Sequence, residues 1–326
     1  MKQAVSGPAG PAPVRPANSI RRTTTIDMTW VDGWGSQLRL NGSARDAVTV
    51  DPADPPHVIA TAATNVGISA GRVIEDIAVT PTRPGIERLI GSRGGGHLRG
   101  TLDNVLPGER ANGTPLYLLL DDVSGTSLIA GFAWSRWLPE WPPPAGELDV
   151  RPSMASVCIG FAPGSSALDT NGRPQMADHT QPVVPLVHLD DPFGWHELAD
   201  LPPVSMRRAR RIDIWIDGDV IYIDSGFQDS AGDPNHGRVA IHEYQLRATV
   251  DRTTMTLTSL DPEPRILPFM ECPSAIVNAR TLVGVRVGDL RAVVLARLSK
   301  TSGCTHLNDA LRALADVPSL LAALGE

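Results

Sequence analysis

Apolar and polar residues alternate with period two in two separate stretches of the chain, and in each the alternation gives way to helical spacing. The first stretch opens with residues 21–30, Thr-rich and suited to a strand. It turns at Asp32-Gly33 and resumes with alternating Leu38 and Leu40. Residues 57–65 and 72–80 read as two further strands around a turn at 67–71. After Pro84 the pattern changes. Ile86, Leu89 and Ile90 have helical spacing, Gly94-Gly95-Gly96 interrupts it as a turn, and Leu98, Leu102, Val105 and Leu106 resume an i, i+4, i+7 face. In the second stretch, residues 212–216, 220–225, 239–250 and 254–260 read as strands, with Asp217-Gly218 as a hairpin signal. Residues 290–298 and 307–314 are amphipathic helices, and Pro318 opens a short last one.

The two stretches share short recurrences. Arg21-Arg22 with Ile26-Asp27 recurs as Arg207-Arg208 with Ile212-Asp213, and Leu89-x-Gly91 with Leu98-Arg99 recurs as Leu282-x-Gly284 with Leu290-Arg291. Each half then closes on a Gly-initiated segment, at Gly113 and at Gly303. The expected fold is α+β: two pseudo-repeated halves, each an antiparallel β-meander followed by helices, joined by a long irregular crossover. Residues 1–17, rich in Pro, Gly and Ala, read as a disordered tail. Residues 18–137 form the first half, 138–204 an ordered Pro- and Trp-rich crossover lying across both halves, and 205–326 the second half.

Composition narrows the function classes. A hydrophobic fraction of 42% over 326 residues is ample for a buried core. A net charge of −7 argues against a nucleic-acid partner. The one basic cluster, Arg207, Arg208, Arg210 and Arg211, reads as a solvated strand edge. Three cysteines cannot close a disulfide set. The first residues carry no apolar signal-like run, and no stretch approaches the roughly 18 apolar residues of a membrane span. The expectation is a cytoplasmic protein with no membrane partner and with a homo-oligomer as an open possibility.

Cys272-Pro273, Leu282-x-Gly284 and Gly303-Cys304-Thr305-His306-Leu307 together resemble a bacterial family of domains of unknown function, the one numbered 2889. The resemblance covers roughly residues 207–314. The first half and the crossover look like an actinobacterial long form of the same family, through Asp27-Met28-Thr29-Trp30, residues 118–122 and Trp195-His196. The resemblance implies no reaction and no catalytic residue. A more distant likeness is to iron–sulfur scaffold and sulfur-acceptor proteins, without a cluster-binding motif to carry it.

Four groups of residues could carry chemistry. Cys304 precedes a helix whose dipole would favour its thiolate. His306 and Asp309 share a face of that helix, and Cys272 precedes an earlier helical region. The four form a possible metal site, or else Cys272 and Cys304 are packing residues and His306 caps the helix. Asp121 and Asp122 adjoin an apolar run and suit acid/base work if buried. The surrounding segment, 116–134, reads either as a helix capped by Thr114-Pro115 or as a hairpin. Asp190, Asp191 and His196 gather in the crossover and make the leading acid/base candidates. Trp134, Trp137 and Trp195, with Trp141, are either staples or the wall of a substrate pocket.

The chain lacks GxSxG, HExxH after His242-Glu243, a P-loop and any dinucleotide or flavin fingerprint. The leading expectation is therefore a small-molecule enzyme of lyase, hydratase or isomerase type. It would act by acid/base chemistry on a small, largely apolar or aromatic substrate between the halves, with no cofactor or a single metal ion. The alternatives are a metal- or sulfur-handling module on Cys272, Cys304 and His306, and a partner-binding protein using residues 139–144.

Overall fold

The structure is a computed structural model and describes residues 7–138, 154–175 and 179–324. Four strands open the fold: β1 (Ser19–Trp30), β2 (Leu38–Thr49), β3 (His57–Ile68) and β4 (Ile74–Thr80). Four helices follow: α1 (Gly96–Val105), α2 (Pro107–Ala111), α3 (Pro115–Ile129) and α4 (Phe132–Ser135). After the short β5 (Gln181–Pro182) come β6 (Met206–Asp217), β7 (Val220–Asp233), β8 (Gly237–Asp251) and β9 (Thr256–Ile266). The helices α5 (Ala275–Ala279), α6 (Leu290–Arg297), α7 (Thr305–Ala313) and α8 (Val317–Leu324) close the chain.

The fold is α+β, as the alternation predicts, but the two meanders are not separate. β1 and β6 pair antiparallel, which fuses both meanders into one nine-stranded sheet of order β4-β3-β2-β1-β6-β7-β8-β5, with β9 also on β8. Their register sets Arg21 opposite Asp213 and Arg207 opposite Asp27. The first arginine of each sequence recurrence thus meets the aspartate of the other, at 2.5 and 2.6 Å. β6 is therefore a central strand and not a solvated edge. Arg208 and Arg210 are each 1% exposed, against the expectation for this basic cluster.

Strand periodicity sends the side chains of β1 and β6 to opposite faces. Ile20, Ile26, Met28, Ile212 and Ile214 join the apolar clusters beneath the helices. Arg22, Arg208 and Arg210 share that face and are buried between helices and sheet, each matched by aspartates. Arg21, Thr23, Thr25 and Asp27 point the other way. That face is covered by the N-terminal segment and by crossover residues near 186–199.

One expectation is corrected here and one open alternative is decided. Residues 7–17 are packed rather than loose. Arg15 is 1% exposed and its Nε lies 2.9 Å from Asp191, while Ala12 N–H donates to the Leu186 carbonyl at 3.0 Å. An arginine that meets a buried carboxylate fixes a stretch whose composition alone cannot. Residues 1–6 lie outside the described residues. The segment after Thr114 is a helix and not a hairpin. The Thr114 hydroxyl accepts from Tyr117 N–H at 3.1 Å, and Pro115 takes the first helical position, where it has no N–H to waste. Together with α4 this segment is long and apolar enough to cross a membrane by composition, yet 72% of its most apolar window is buried inside the protein. It is a core helix, apolar all round because neighbours surround it.

Candidate functional site

The β7–β8 pairing puts Asp229 directly opposite His242, side by side on the helix-facing surface of the sheet. The start of α7 lowers His306 onto the same point. The two imidazoles stack with centroids 3.4 Å apart and planes at 18°. His242 Nδ1 lies 3.2 Å and His306 Nε2 3.8 Å from Asp229 Oδ2. At 3.2 Å the His242–Asp229 contact lacks hydrogen-bond geometry, so among the described residues His242 Nδ1 is buried with no hydrogen-bond partner. Among the described residues, these three bring their ligand atoms within 4.8 Å of one another.

Asp229 is fixed from behind. Arg208 grips it with Nε at 2.8 Å and Nη2 at 3.0 Å. Burial works to raise this carboxyl, but the Arg208 guanidinium outweighs it and holds the group well below the usual carboxylate range. Burial pushes both imidazoles below their ordinary value, His306 also through its closeness to His242. The result is two neutral rings beside one anion. Arg208 is itself held by Asp122 and Asp309, at 3.3 and 3.2 Å, and Asp122 also binds Arg210 at 2.7 Å. Helix α3 comes this close because residue 125 is glycine. A Cβ there would stand 2.5 Å from Arg208 Nη1 and 2.8 Å from Asp309 Oδ2.

In front of the histidines lies a cavity of about 320 Å3 whose walls are almost wholly apolar. Leu128 and Phe132 come from the first half, Met154 and Phe161 from the crossover, and Phe269 from the segment after β9. All three cysteines, Cys158, Cys272 and Cys304, line it as well. Gly160 lets them pack together, since a Cβ there would meet Cys272 Sγ at 2.9 Å and Cys158 Sγ at 3.7 Å. The expectation that the α7 dipole activates Cys304 is corrected. Cys304 is 2% exposed, and burial pushes its thiol up to about 11. Burial likewise raises Cys158 and Cys272.

The structure thus brings Cys272, Cys304 and His306 to one cavity, but not Asp309. That carboxylate turns to Arg99, Arg208 and Arg312 at 3.1, 3.2 and 3.5 Å, because three guanidiniums attract it more than a neutral imidazole does. Asp121 and Asp122 are not a free acid pair. Adjacent helical positions point about 100° apart, and each finds its own arginines: Arg312 and Arg99 for Asp121, Arg208 and Arg210 for Asp122. Arg312 and Arg99 overcome the burial of Asp121 and hold it well below the carboxylate range, which removes it as a general acid.

Asp190, Asp191 and His196 sit on the opposite face of the sheet. Asp191 is locked to Arg15, and the Asp190 side chain is 84% exposed. His196 is wedged between the hydroxyls of Thr23 and Thr25 at 2.8 and 2.9 Å, with its pKa lowered to about 4 by burial and by Arg45. The sheet separates these residues from the cavity. The tryptophans hold the fold. Trp134 meets Trp30 edge-on at 5.3 Å, and Trp137 Nε1 donates to the Gly232 carbonyl at 3.0 Å. Trp195 is 6% exposed beneath the N-terminal segment. None of Trp134, Trp137 and Trp195 lines the histidine cavity. Trp141 and residues 139–144 lie outside the described residues.

Residues 206–319 match the family model described as a protein of unknown function, DUF2889. This second half belongs to the DUF2889 family. The matched region contains Asp229, His242, Cys272, Cys304 and His306, so the DUF2889 half carries both histidines that line the cavity and the buried carboxylate beneath them. The first half supplies apolar wall, and the crossover supplies apolar wall together with Cys158 and Gln175. No curated protein and no solved structure matches the chain.

Sequence reasoning missed Asp229 and His242 because it looked for ligands close in sequence. They are thirteen residues apart on two strands of one hairpin, and only the register sets them side by side. The available signal was weak, since His242 is the one histidine of β8 but β7 carries Asp224 and Asp233 besides Asp229.

Proposed function

We propose that this protein is a small-molecule enzyme of lyase, hydratase or isomerase type. It works in the apolar cavity with a divalent metal ion held by Asp229, His242 and His306. The observation that carries the reading is the stacked histidine pair over Asp229, with a buried ring nitrogen that has no hydrogen-bond partner among the described residues. Metal–nitrogen and metal–oxygen bonds of about 2.0–2.2 Å place neighbouring ligand atoms of a tetrahedral site roughly 3.3–3.6 Å apart. The contacts of 3.2 and 3.8 Å to Asp229 Oδ2 fall around that spacing. Two imidazoles and one carboxylate leave ligand positions open toward the cavity. Arg208 orients the carboxylate from outside, the part that outer partners of metal ligands usually take. Such an ion would act as a Lewis acid on a substrate oxygen or on water. The apolar walls would exclude bulk water and select a largely apolar or aromatic body.

The leading site of this proposal is not the crossover histidine. His196 is occupied by two threonines, and a sheet separates it from the cavity. The thiols serve as wall in this reading, because burial keeps them protonated. A cytoplasmic setting, where thiols stay reduced, belongs to the same proposal. So does descent of the two halves from one meander-plus-helix unit, which the crossed pairing of their Arg and Asp recurrences supports.

The test is elemental analysis of the purified, untagged protein beside His306→Ala and Asp229→Asn. Near-stoichiometric zinc, iron or manganese in the wild type, lost from both variants while the fold persists, is the expected result. A wild type that is metal-free and takes up none of these ions on dialysis refutes the metal centre.

A further inference from the structure

The apolar cavity does not end blindly. It adjoins a second one of about 400 Å3 that shares Leu128, Met154, Val157 and Thr305 with it. The character of the lining changes along the way. Arg72, Arg99 and Arg312 border the second cavity, with Gly95 and Gly96 at the start of α1.

The charges there do not cancel. Asp121, Asp122, Asp229 and Asp309 are matched one for one by Arg99, Arg208, Arg210 and Arg312. Asp309 faces the second cavity, but three of those arginines hold it. Arg72 stands outside this balance. Among the described residues no carboxylate lies within ion-pair distance of it, and its guanidinium bonds only the Ser124 carbonyl at 2.8 Å and the Ser127 hydroxyl at 3.2 and 3.3 Å. Those bonds use Nε and Nη2 and leave Nη1 without a partner. Arg99 likewise spends Nε and Nη2 on Asp121 and Asp309. Arg312, 2% exposed, borders the same space with a buried Nε that has no partner among the described residues. Arg72 also sits in left-handed backbone, φ +62°, where a glycine would be at ease. Beside it α1 begins with Gly95 as an uncapped N-cap, and a Cβ at Gly95 or Gly96 would meet nothing within 4 Å. An unneutralised cation, spare guanidinium N–H groups and an open helix start therefore converge on one space that adjoins the apolar cavity.

We propose that the ligand of this protein is an amphipathic organic carboxylate. Its apolar body lies in the histidine-floored cavity and its carboxylate on Arg72 and the start of α1. The proposal rests on the reading of that cavity as the substrate site and not on the metal. It also adds a specificity residue, Arg72, which touches none of the three histidine-site groups.

The experiment is calorimetric titration of the full chain with hexanoate, octanoate and 4-phenylbutyrate and with their primary amides, before and after chelator treatment. The variants are Arg72→Gln and Gly95→Asp. Loss of one charge-assisted interaction weakens binding by about tenfold or more. The carboxylates are therefore expected to bind wild type at least about tenfold tighter than the amides, with or without metal, and Arg72→Gln should erase most of that preference. Gly95→Asp places a carboxylate at an N-cap that favours aspartate. It should keep or raise the melting temperature while abolishing the preference, and it decides the matter if Arg72→Gln folds poorly. Equal affinity for acids and amides overturns the proposal, as does a preference that survives both variants. A preference that disappears on chelation puts the carboxylate on the metal and overturns it too. So does failure of every acid in the series to bind at millimolar concentration. Metal content measured on the same samples reports separately on the metal centre.

Discussion

Gly125→Ala sets a local rule against a tertiary one. Gly125 lies inside α3, and replacing an interior helical glycine with alanine ordinarily stabilises by about 1 kcal/mol. Here the new Cβ would stand 2.5 Å from Arg208 Nη1 and 2.8 Å from Asp309 Oδ2. Neither neighbour can swing into solvent, since their side chains are 1% and 9% exposed. Overpacking alone costs about 1–3 kcal/mol, and pushing Arg208 off one of its buried carboxylates costs about 3–5 kcal/mol. The two costs describe one displacement, so the larger one less the propensity gain leaves a loss of about 2–4 kcal/mol, or roughly 3–6 °C in melting temperature for a chain of this size. Gly100→Ala is the internal control. Gly100 lies in α1, exposed, with nothing within 4 Å of a Cβ, so propensity should win there and stabilise by about 0.5–1 kcal/mol. Thermal melts followed by circular dichroism, with urea titrations for the free energies, read both variants. The reasoning fails if Gly125→Ala melts at or above the wild type. Because Arg208 also fixes Asp229, the proposed metal site predicts that the same variant retains metal less well than Gly100→Ala.

Three further outcomes follow from burial. The cysteine thiols should react slowly with a disulfide reagent at pH 8 and rapidly after denaturation, because Cys304 is pushed up to about 11 and lies in the core; fast native labelling would contradict its placement. His196, lowered to about 4, stays neutral in the fold while the unfolded chain binds a proton below about 6.5. Stability should therefore fall by up to about 3 kcal/mol as pH drops from 6.5 to 4, and His196→Gln should lose that component. Urea titrations of both proteins across this range give the difference, and equal slopes would refute it. Arg15→Ala leaves Asp191 buried without its main partner and should cost about 3–5 kcal/mol, whereas a loose tail would make the substitution neutral in the same melts.

Much of the strand and helix order was legible along the chain. Alternation places β7, β8 and β9, the Thr114-Pro115 pair starts α3, and the apolar faces after Leu290 and Leu307 become α6 and α7. These features are local, carried by side-chain period and by capping groups within a few residues. The candidate site was legible only in part. Cys272, Cys304 and His306 drew notice as chemically distinctive residues near one another in sequence, and they do line one cavity. Their partners did not, because Asp229 and His242 become neighbours only through the β7–β8 register, and Cys158 arrives from the crossover. Charged residues were the least legible. A run such as Arg207-Arg208-x-Arg210-Arg211 looks solvated until β1 and β6 pair. That pairing makes β6 a central strand and brings Asp27 to Arg207, while β7 supplies Asp229 to Arg208 and α3 supplies Asp122 to Arg210.

The sequence by itself determined the periodic elements, the α+β class and the presence of a chemically distinctive second half. Tertiary structure alone decided that the two meanders form one sheet, that the leading crossover histidine lies behind it, and that His242 and His306 line the cavity above a buried Asp229. The physical reason is range. Periodicity and capping act over a few residues, whereas the burial of a charge and the meeting of ligand atoms depend on which distant strand completes the surroundings.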